Sequence, residues 1–256
     1  MTSAAFQFTN RIKECDELKK ELDSYRPLHQ NVVKQLKEYS KISLTYTSNA
    51  IEGNSLTESE TKVIIEDGLT IGGKPLKDHL EALGHALAYD HISSLASAKT
   101  DITEKDILKL HHLFYEKIDE DNAGKYRKIP VFVSGTDFVF PAPAKVPVLM
   151  KKFVAAIGQT KKKLHPVEFA AWLHDQFIDI HPFVDGNGRV ARLLMNLALL
   201  QTGYVITIIP PVMRSNYIEI VRTGQKGGNP RPFYDFISNL VWEALKEQLR
   251  LIKGKK

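Results

Sequence analysis

Twelve residues, "HPFVDGNGRVAR" from His181 to Arg192, hold the chain's densest set of groups able to do chemistry. His181 is a base whose unperturbed pKa lies near neutrality. It precedes Pro182, which disfavours helical geometry at His181 and ends the preceding helix there. Gly186 and Gly188 let the backbone turn tightly and approach a ligand. The N–H groups of the turn and of the helix that follows then converge on an anion. Arg189 and Arg192, three apart, share a face beside those donors. Placed in the first turn of that helix, two cations break a local rule, because a carboxylate is favoured at the positive end of the dipole. With the free N–H groups they describe a site for an anion with several oxygens, such as a polyphosphate. Asp185 adds one carboxylate where a Mg²⁺ bridging phosphates would sit. The plain structural reading of each residue alone is a helix start capped by Asn187, with both arginines reaching distant carboxylates. The combination within twelve residues favours phosphate chemistry.

Other chemistries fail on spacing. An EF-hand needs Gly at the sixth loop position and Glu at the twelfth. Aligning Gly186 at the sixth puts Arg192 at the twelfth, and aligning Gly188 there puts Leu194. "GNGRVA" fits a loose dinucleotide pattern, but its flanks are helical and no acid follows about 20 residues later. None of the nine histidines forms the i, i+4 pair with an intervening Glu that zinc hydrolases use.

The elements that must position these residues are helical. "FYDFISNLVWEALKEQLRLI" puts Phe233, Phe236, Ile237, Leu240, Val241, Ala244 and Leu251 on one stripe. Residues 76–96 and 103–118 repeat that spacing, the second opened by Thr103 as N-cap. "HPVEFAAWLHDQFIDI" has Pro166 at a first helical position and turns Phe169, Ala170, Leu173 and Phe177 inward. About nine to eleven helices are expected. The exception is Lys128 to Pro143, where two aromatic and β-branched runs flank "SGTD" and predict a short hairpin packed on the helices. The expected fold class is all-α with one short β-hairpin flap. Residues 1–75 read as a helical extension and 76–256 as the core, in one compact unit.

Composition agrees with a globular chain: 43% hydrophobic and 25% charged residues, with 35 Lys and Arg against 30 Asp and Glu. The basic runs at Lys151 to Lys163 and at the end of the chain lack interleaved aromatics, so solvated surface is preferred to nucleic-acid binding. Cys15 is the only cysteine, which excludes an intrachain disulfide and suggests a reducing compartment. The first residues lack the order of a signal peptide, and no apolar run approaches a membrane span. A cytoplasmic protein with neither nucleic-acid nor membrane partners is expected.

"HPFVDGNGRVAR" resembles the signature of the Fic family, H-x-F-x-[D/E]-G-N-G-R-x-x-R, at every defined position. The resemblance extends over "GKYRKIPVFVSGTDFVFPAP" and "HPVEFAAWLHDQFIDIHPF", roughly residues 100 to 225. It implies a Fic-type helical bundle that moves the AMP of ATP onto a hydroxyl of a target protein and releases pyrophosphate. By that resemblance His181 deprotonates the target hydroxyl and Asp185 holds Mg²⁺ across the α- and β-phosphates. Asn187 and the N–H groups of Gly186 and Gly188 cradle the phosphates, while Arg189 and Arg192 neutralise charge. Phe183 anchors the loop, and Tyr217 lines the base pocket. Gly188, where kinase-like relatives carry lysine, argues against a reversed nucleotide. The flap, including Val133, Ser134, Gly135, Thr136, Asp137 and Phe138, offers an edge along which a target segment adds as a strand.

A second stretch, "SNAIEGN" (Ser48 to Asn54), resembles the family's inhibitory motif [S/T]-x-x-x-E-[G/N]. Gly53 stops a helix and "SLTESE" starts the next with a capping box, which leaves Glu52 at the unfavourable negative end of a helix. The misplaced Glu52 and the misplaced arginines would complement each other. The expected protein is an autoinhibited adenylyltransferase with ATP and a target protein as partners and Mg²⁺ as cofactor; a homodimer is compatible with the sequence. The alternatives are a de-AMPylase that uses Glu52 to position water, and an interaction module without catalysis.

Overall fold

The computed structural model describes residues 8–98, 100–132, 138–225 and 228–254. Among these are ten α-helices: α1 (Ile12–Ser24), α2 (Gln30–Ile51), α3 (Glu58–Asp67), α4 (Leu76–Ala98), α5 (Glu104–Tyr115), α6 (Val146–Lys163), α7 (Pro166–Ile180), α8 (Asn187–Gln201), α9 (Arg214–Gln225) and α10 (Arg231–Lys253). Their starts follow local chemistry. Thr57 and Thr103 each form a capping box, with Glu60 and Asp106 returning a bond to the cap backbone. Pro166 occupies the first turn of α7.

α8 is the axis of the molecule. Val190, Ala191, Leu193, Leu194, Met195, Leu197 and Leu199 are all fully buried, so the helix is apolar on every side and must be surrounded. α7, α4, α5 and α2 pack around it. α1 lies against α10, and Cys15, Leu22, Leu44 and Ile51 share one core cluster with α8. The first helices therefore contribute to the same core as the rest.

Two expectations need correction. In α10 the inward stripe is Phe233, Phe236, Ile237, Leu240, Val241, Leu245, Leu249 and Ile252; Ala244 and Leu251 are only half-buried. The stripe follows two partners, since both α1 and α7 pack on α10. The second correction concerns the hairpin. No strand occurs among the described residues, and 129–132 and 138–142 make no ladder bonds there. Phe132 and Val139, 94% and 88% exposed, face out while Val131, Phe138 and Phe140 are half-buried, so the two runs lean one side on the bundle without pairing into a ribbon among the described residues. Pro130 and Pro141 also remove donors from any ladder. Val133, Ser134, Gly135, Thr136 and Asp137 lie outside the described residues.

Candidate functional site: a helix-start anion cleft closed by Glu52

α7 and α8 are joined by residues 181–186, and this loop is held from three sides. Asn187 bonds the loop to itself: its Oδ1 accepts from Phe183 N–H and its Nδ2 donates to the Phe183 carbonyl, both at 2.9 Å. Its side chain therefore shapes the loop, and Gly186, at φ 77°, takes the N-cap position of α8. A Cβ on Gly186 would crowd the Phe114 ring, a close approach that only glycine allows. His111 supports the loop from below. It stacks on Phe183 at 3.7 Å, accepts from Gly124 N–H, and donates from Nε2 to the Asp185 carbonyl. Burial lowers its pKa to about 4, so it is neutral and can hold one tautomer. Arg127, 2% exposed, is the third support. Its guanidinium donates to the carbonyls of His181, Ile129 and Pro141, tying both ends of the expected flap to the loop.

His181 is the one non-glycine residue at positive φ, 49°, among those described. Residues of this kind are held in place by their surroundings and concentrate at functional sites. Its Nδ1 lies 3.3 Å from the Ile178 carbonyl, which can only accept. The proton therefore sits on Nδ1 and leaves Nε2 as the acceptor. Burial lowers its pKa to about 4, with Arg127 adding to that and the Ile178 carbonyl opposing it. The ring is a neutral base, and Phe140 packs on it at 4.2 Å.

The two arginines are spent differently. Arg189, at the third helical position of α8, donates to Glu81 at 2.8 Å and Asp185 at 3.2 Å, and lies 4.3 Å from the centre of the Phe114 ring. Arg192 falls in the second turn, one turn later than the spacing argument placed it. It is 2% exposed and serves α2: Nε donates to Ser48 Oγ at 2.9 Å, Nη2 to the Ser48 carbonyl at 2.8 Å and to Glu52 Oε1 at 2.7 Å. Its Nη1 reaches the Tyr217 hydroxyl at 3.4 Å.

Glu52 follows the last residue of α2, and Gly53 at φ 96° turns the chain away. Its carboxylate lies over Gly188, where any Cβ would collide with Oε1. The acid thus leaves the negative end of its own helix and occupies the positive end of α8. Burial alone would raise its pKa, yet Arg192 and Arg189 outweigh that and hold it below the usual carboxylate range.

These groups line a cleft of about 470 Å³ that includes Glu52, His181, Asp185, Gly186, Gly188 and Tyr217. Asp185, whose side chain is 43% exposed, is the carboxylate beside the loop, and no set of three metal-ligating side chains occurs among the described residues. A single carboxylate suits Mg²⁺, which keeps waters and takes phosphate oxygens, and does not suit a cage built of protein alone. Tyr217 does line the cleft but is 5% exposed, and its hydroxyl lies 2.8 Å from His174 Nε2. Phe138 makes an edge contact with Phe140, which packs on His181.

Sequence reasoning missed Ser48 as an arginine acceptor, Glu81, His111, Arg127 and Arg214. Arg127 stood inside the quoted "GKYRKIP", and its burial has no sequence signal. Glu81 and Arg214 come from distant elements, which only the fold brings in.

The bundle gathers a neutral histidine, two arginines and two carboxylates around the start of one helix. The chain belongs to the Fic/DOC family, whose model matches residues 101–199. The Fic-domain signalling protein of Bacteroides thetaiotaomicron superposes with a TM-score of 0.85 at 30% identity, over 96% of this chain and 98% of that one. Fic-1 of C. elegans (residues 134–508) gives 0.88 at 27% identity, over 96% and 73%. Protein adenylyltransferase Fic of Drosophila melanogaster is 35% identical over 236 residues, 91% of this chain and 47% of its own length. The chain thus spans about half the length of the curated relatives it matches. No helix among the described residues is long and apolar enough to cross a membrane.

Proposed function

We propose that the chain is a protein adenylyltransferase held inactive by Glu52. The observation that carries this reading is the carboxylate of Glu52 seated on the start of α8, where a phosphate would sit. The target hydroxyl loses its proton to His181 Nε2 as its oxygen attacks the α-phosphorus of ATP. The bond from that phosphorus to the bridging oxygen breaks, and pyrophosphate leaves. The N–H groups at Gly186 and Gly188 and the released Arg192 offset the charge on the phosphates. Asp185 would hold Mg²⁺, which supplies positive charge across the phosphates when bound. The exposed Phe132 and Val139, at the base of the expected flap, support docking of a target segment there. Cys15, buried and free, fits a cytoplasmic setting.

The lining of the cleft by both Glu52 and His181 supports a second reading. There, Glu52 orients water for removal of AMP from a modified protein. Label transfer from α-labelled ATP by the Glu52→Gly chain tests the first reading, and release of AMP from an adenylylated target by the wild type tests the second. Label transfer by Glu52→Gly with no release by the wild type supports the first; the reverse supports the second.

A further inference from the structure

Arg127 stands in "GKYRKIP", outside every helix, yet it is buried. A buried guanidinium must find acceptors for a rigid, planar fork of N–H donors. Arg127 spends that fork on backbone carbonyls. Nε donates to the His181 carbonyl at 2.7 Å, Nη1 to that of Ile129 at 3.2 Å, and Nη2 to that of Pro141 at 2.6 Å. Its own backbone N–H donates to the Pro182 carbonyl at 2.9 Å. One residue therefore binds three segments: the start of the expected flap, its end, and the loop that carries the base.

Two of these links bear on the base itself. The bonds to the His181 and Pro182 carbonyls hold the chain just after a residue at φ 49°, a conformation that persists only where its surroundings enforce it. The bond to the Pro141 carbonyl fixes the neighbour of Phe140, whose ring lies 4.2 Å from that of His181. The backbone and the ring of the base are thus held from one guanidinium, with Nδ1 kept toward the Ile178 carbonyl. We infer that Arg127 is a positioning residue for the transfer, and that its fork aims Nε2 of His181 by tying the base to both ends of the flap. It acts through His181 and Phe140. The inference rests on the adenylyltransferase reading above and adds to it what orients the base.

Arg127→Lys, made in the Glu52→Gly chain, tests it. Lysine keeps the positive charge, but its ammonium cannot offer a planar fork to three carbonyls at once. Transfer of label from α-labelled ATP onto the chain itself should fall about tenfold or more, because small misplacements of a reacting group are costly in rate. ATP affinity by calorimetry should stay within about twofold, as expected of a residue that acts on the base and not on nucleotide binding. The carbon–proton magnetic resonances of the His181 ring, assigned by their loss in a His181→Ala sample, should move as Phe140 is released. Arg127→Met should show the same pattern with a larger loss of transfer. Melting temperatures report folding, and Arg127→Lys decides alone if Arg127→Met does not fold. Unchanged transfer, or unchanged ring resonances, in Arg127→Lys would overturn the assignment. So would a loss of ATP affinity as large as the loss of transfer, the mark of a residue that serves only the fold. No transfer by the Glu52→Gly chain itself would overturn the adenylyltransferase reading, and the ring resonances would then decide whether Arg127 positions His181.

Discussion

Glu52 Oε1 and Arg192 Nη2 lie 2.7 Å apart, 140 residues apart in the chain, with the acid resting on Gly188. Each residue is costly where it stands: an acid just after the end of α2, and a cation 2% exposed within α8. Brought together they satisfy each other, and in the proposed reading the acid takes the place of a phosphate. Glycine at 188 leaves room for that contact, because a Cβ there would push the Glu52 carboxylate aside.

Ser48→Ala should loosen this clamp without abolishing it. Arg192 Nε loses its Ser48 Oγ acceptor at 2.9 Å, while the Ser48 carbonyl and Glu52 remain. The expected cost is about 1–3 kcal/mol in thermal stability, with partial activation measured by label transfer. Wild-type stability and wild-type activity together would remove Ser48 from the clamp.

His181→Ala should lower transfer about 10²–10⁴-fold while ATP affinity changes little. Because burial brings the His181 pKa to about 4, the wild-type ring stays neutral from pH 6 to 8. A pH–rate profile of the Glu52→Gly chain should therefore show no inflection near 6.5. A step there that vanishes in the His181 variant would mean that the buried, neutral base has been misassigned.

Asp185→Ala should remove most of the Mg²⁺ dependence of nucleotide binding, read by calorimetry with and without the metal. An unchanged dependence would reduce Asp185 to a loop residue that pairs with Arg189 at 3.2 Å.

Asp179→Asn should stabilise the fold, and more so at high pH. The folded pKa of about 7 lies above the ordinary 3.8, so between those values the native state holds a proton that the unfolded chain has lost. Stability therefore falls as pH rises through that window, and the full cost is present above pH 7. Removing the acid should raise stability by on the order of 1–3 kcal/mol at pH 8 and by little at pH 4. An equal effect at both pH values would contradict a buried, cation-free acid.

Much of the site was legible because its chemistry is local. His181, Asp185 and the glycines sit in one loop whose turn is dictated by Pro182 and Gly186, and Glu52 was marked by Gly53 and the Thr57 capping box. Asn187 is not the cap of α8 that the plain structural reading made it, because its partner, the Phe183 backbone, is defined only once the loop closes. Arg192 was placed a turn early because it shares a face with Arg189 three residues before it, although it is the sixth residue of α8. The supports His111, Arg127 and Glu81 could not be read from spacing, since each acts through burial against a distant element. The hairpin pattern of alternating apolar residues is present, with Phe132 and Val139 facing out and Phe140 against His181, but the described residues of the two runs share no ladder bonds.

The most direct measurement is label transfer from α-labelled ATP, to itself or to a lysate, by wild type, Glu52→Gly, and Glu52→Gly with His181→Ala. Glu52→Gly frees the start of α8 and should raise transfer about tenfold or more, since an acid pairing with a buried arginine is replaced by the nucleotide's own phosphates. ATP should also raise the melting temperature of Glu52→Gly more than that of the wild type, because tighter binding stabilises by mass action. The double variant should return to background. Equal transfer by wild type and a folded Glu52→Gly chain would contradict inhibition by Glu52, and transfer undiminished in the double variant would contradict His181 as the base.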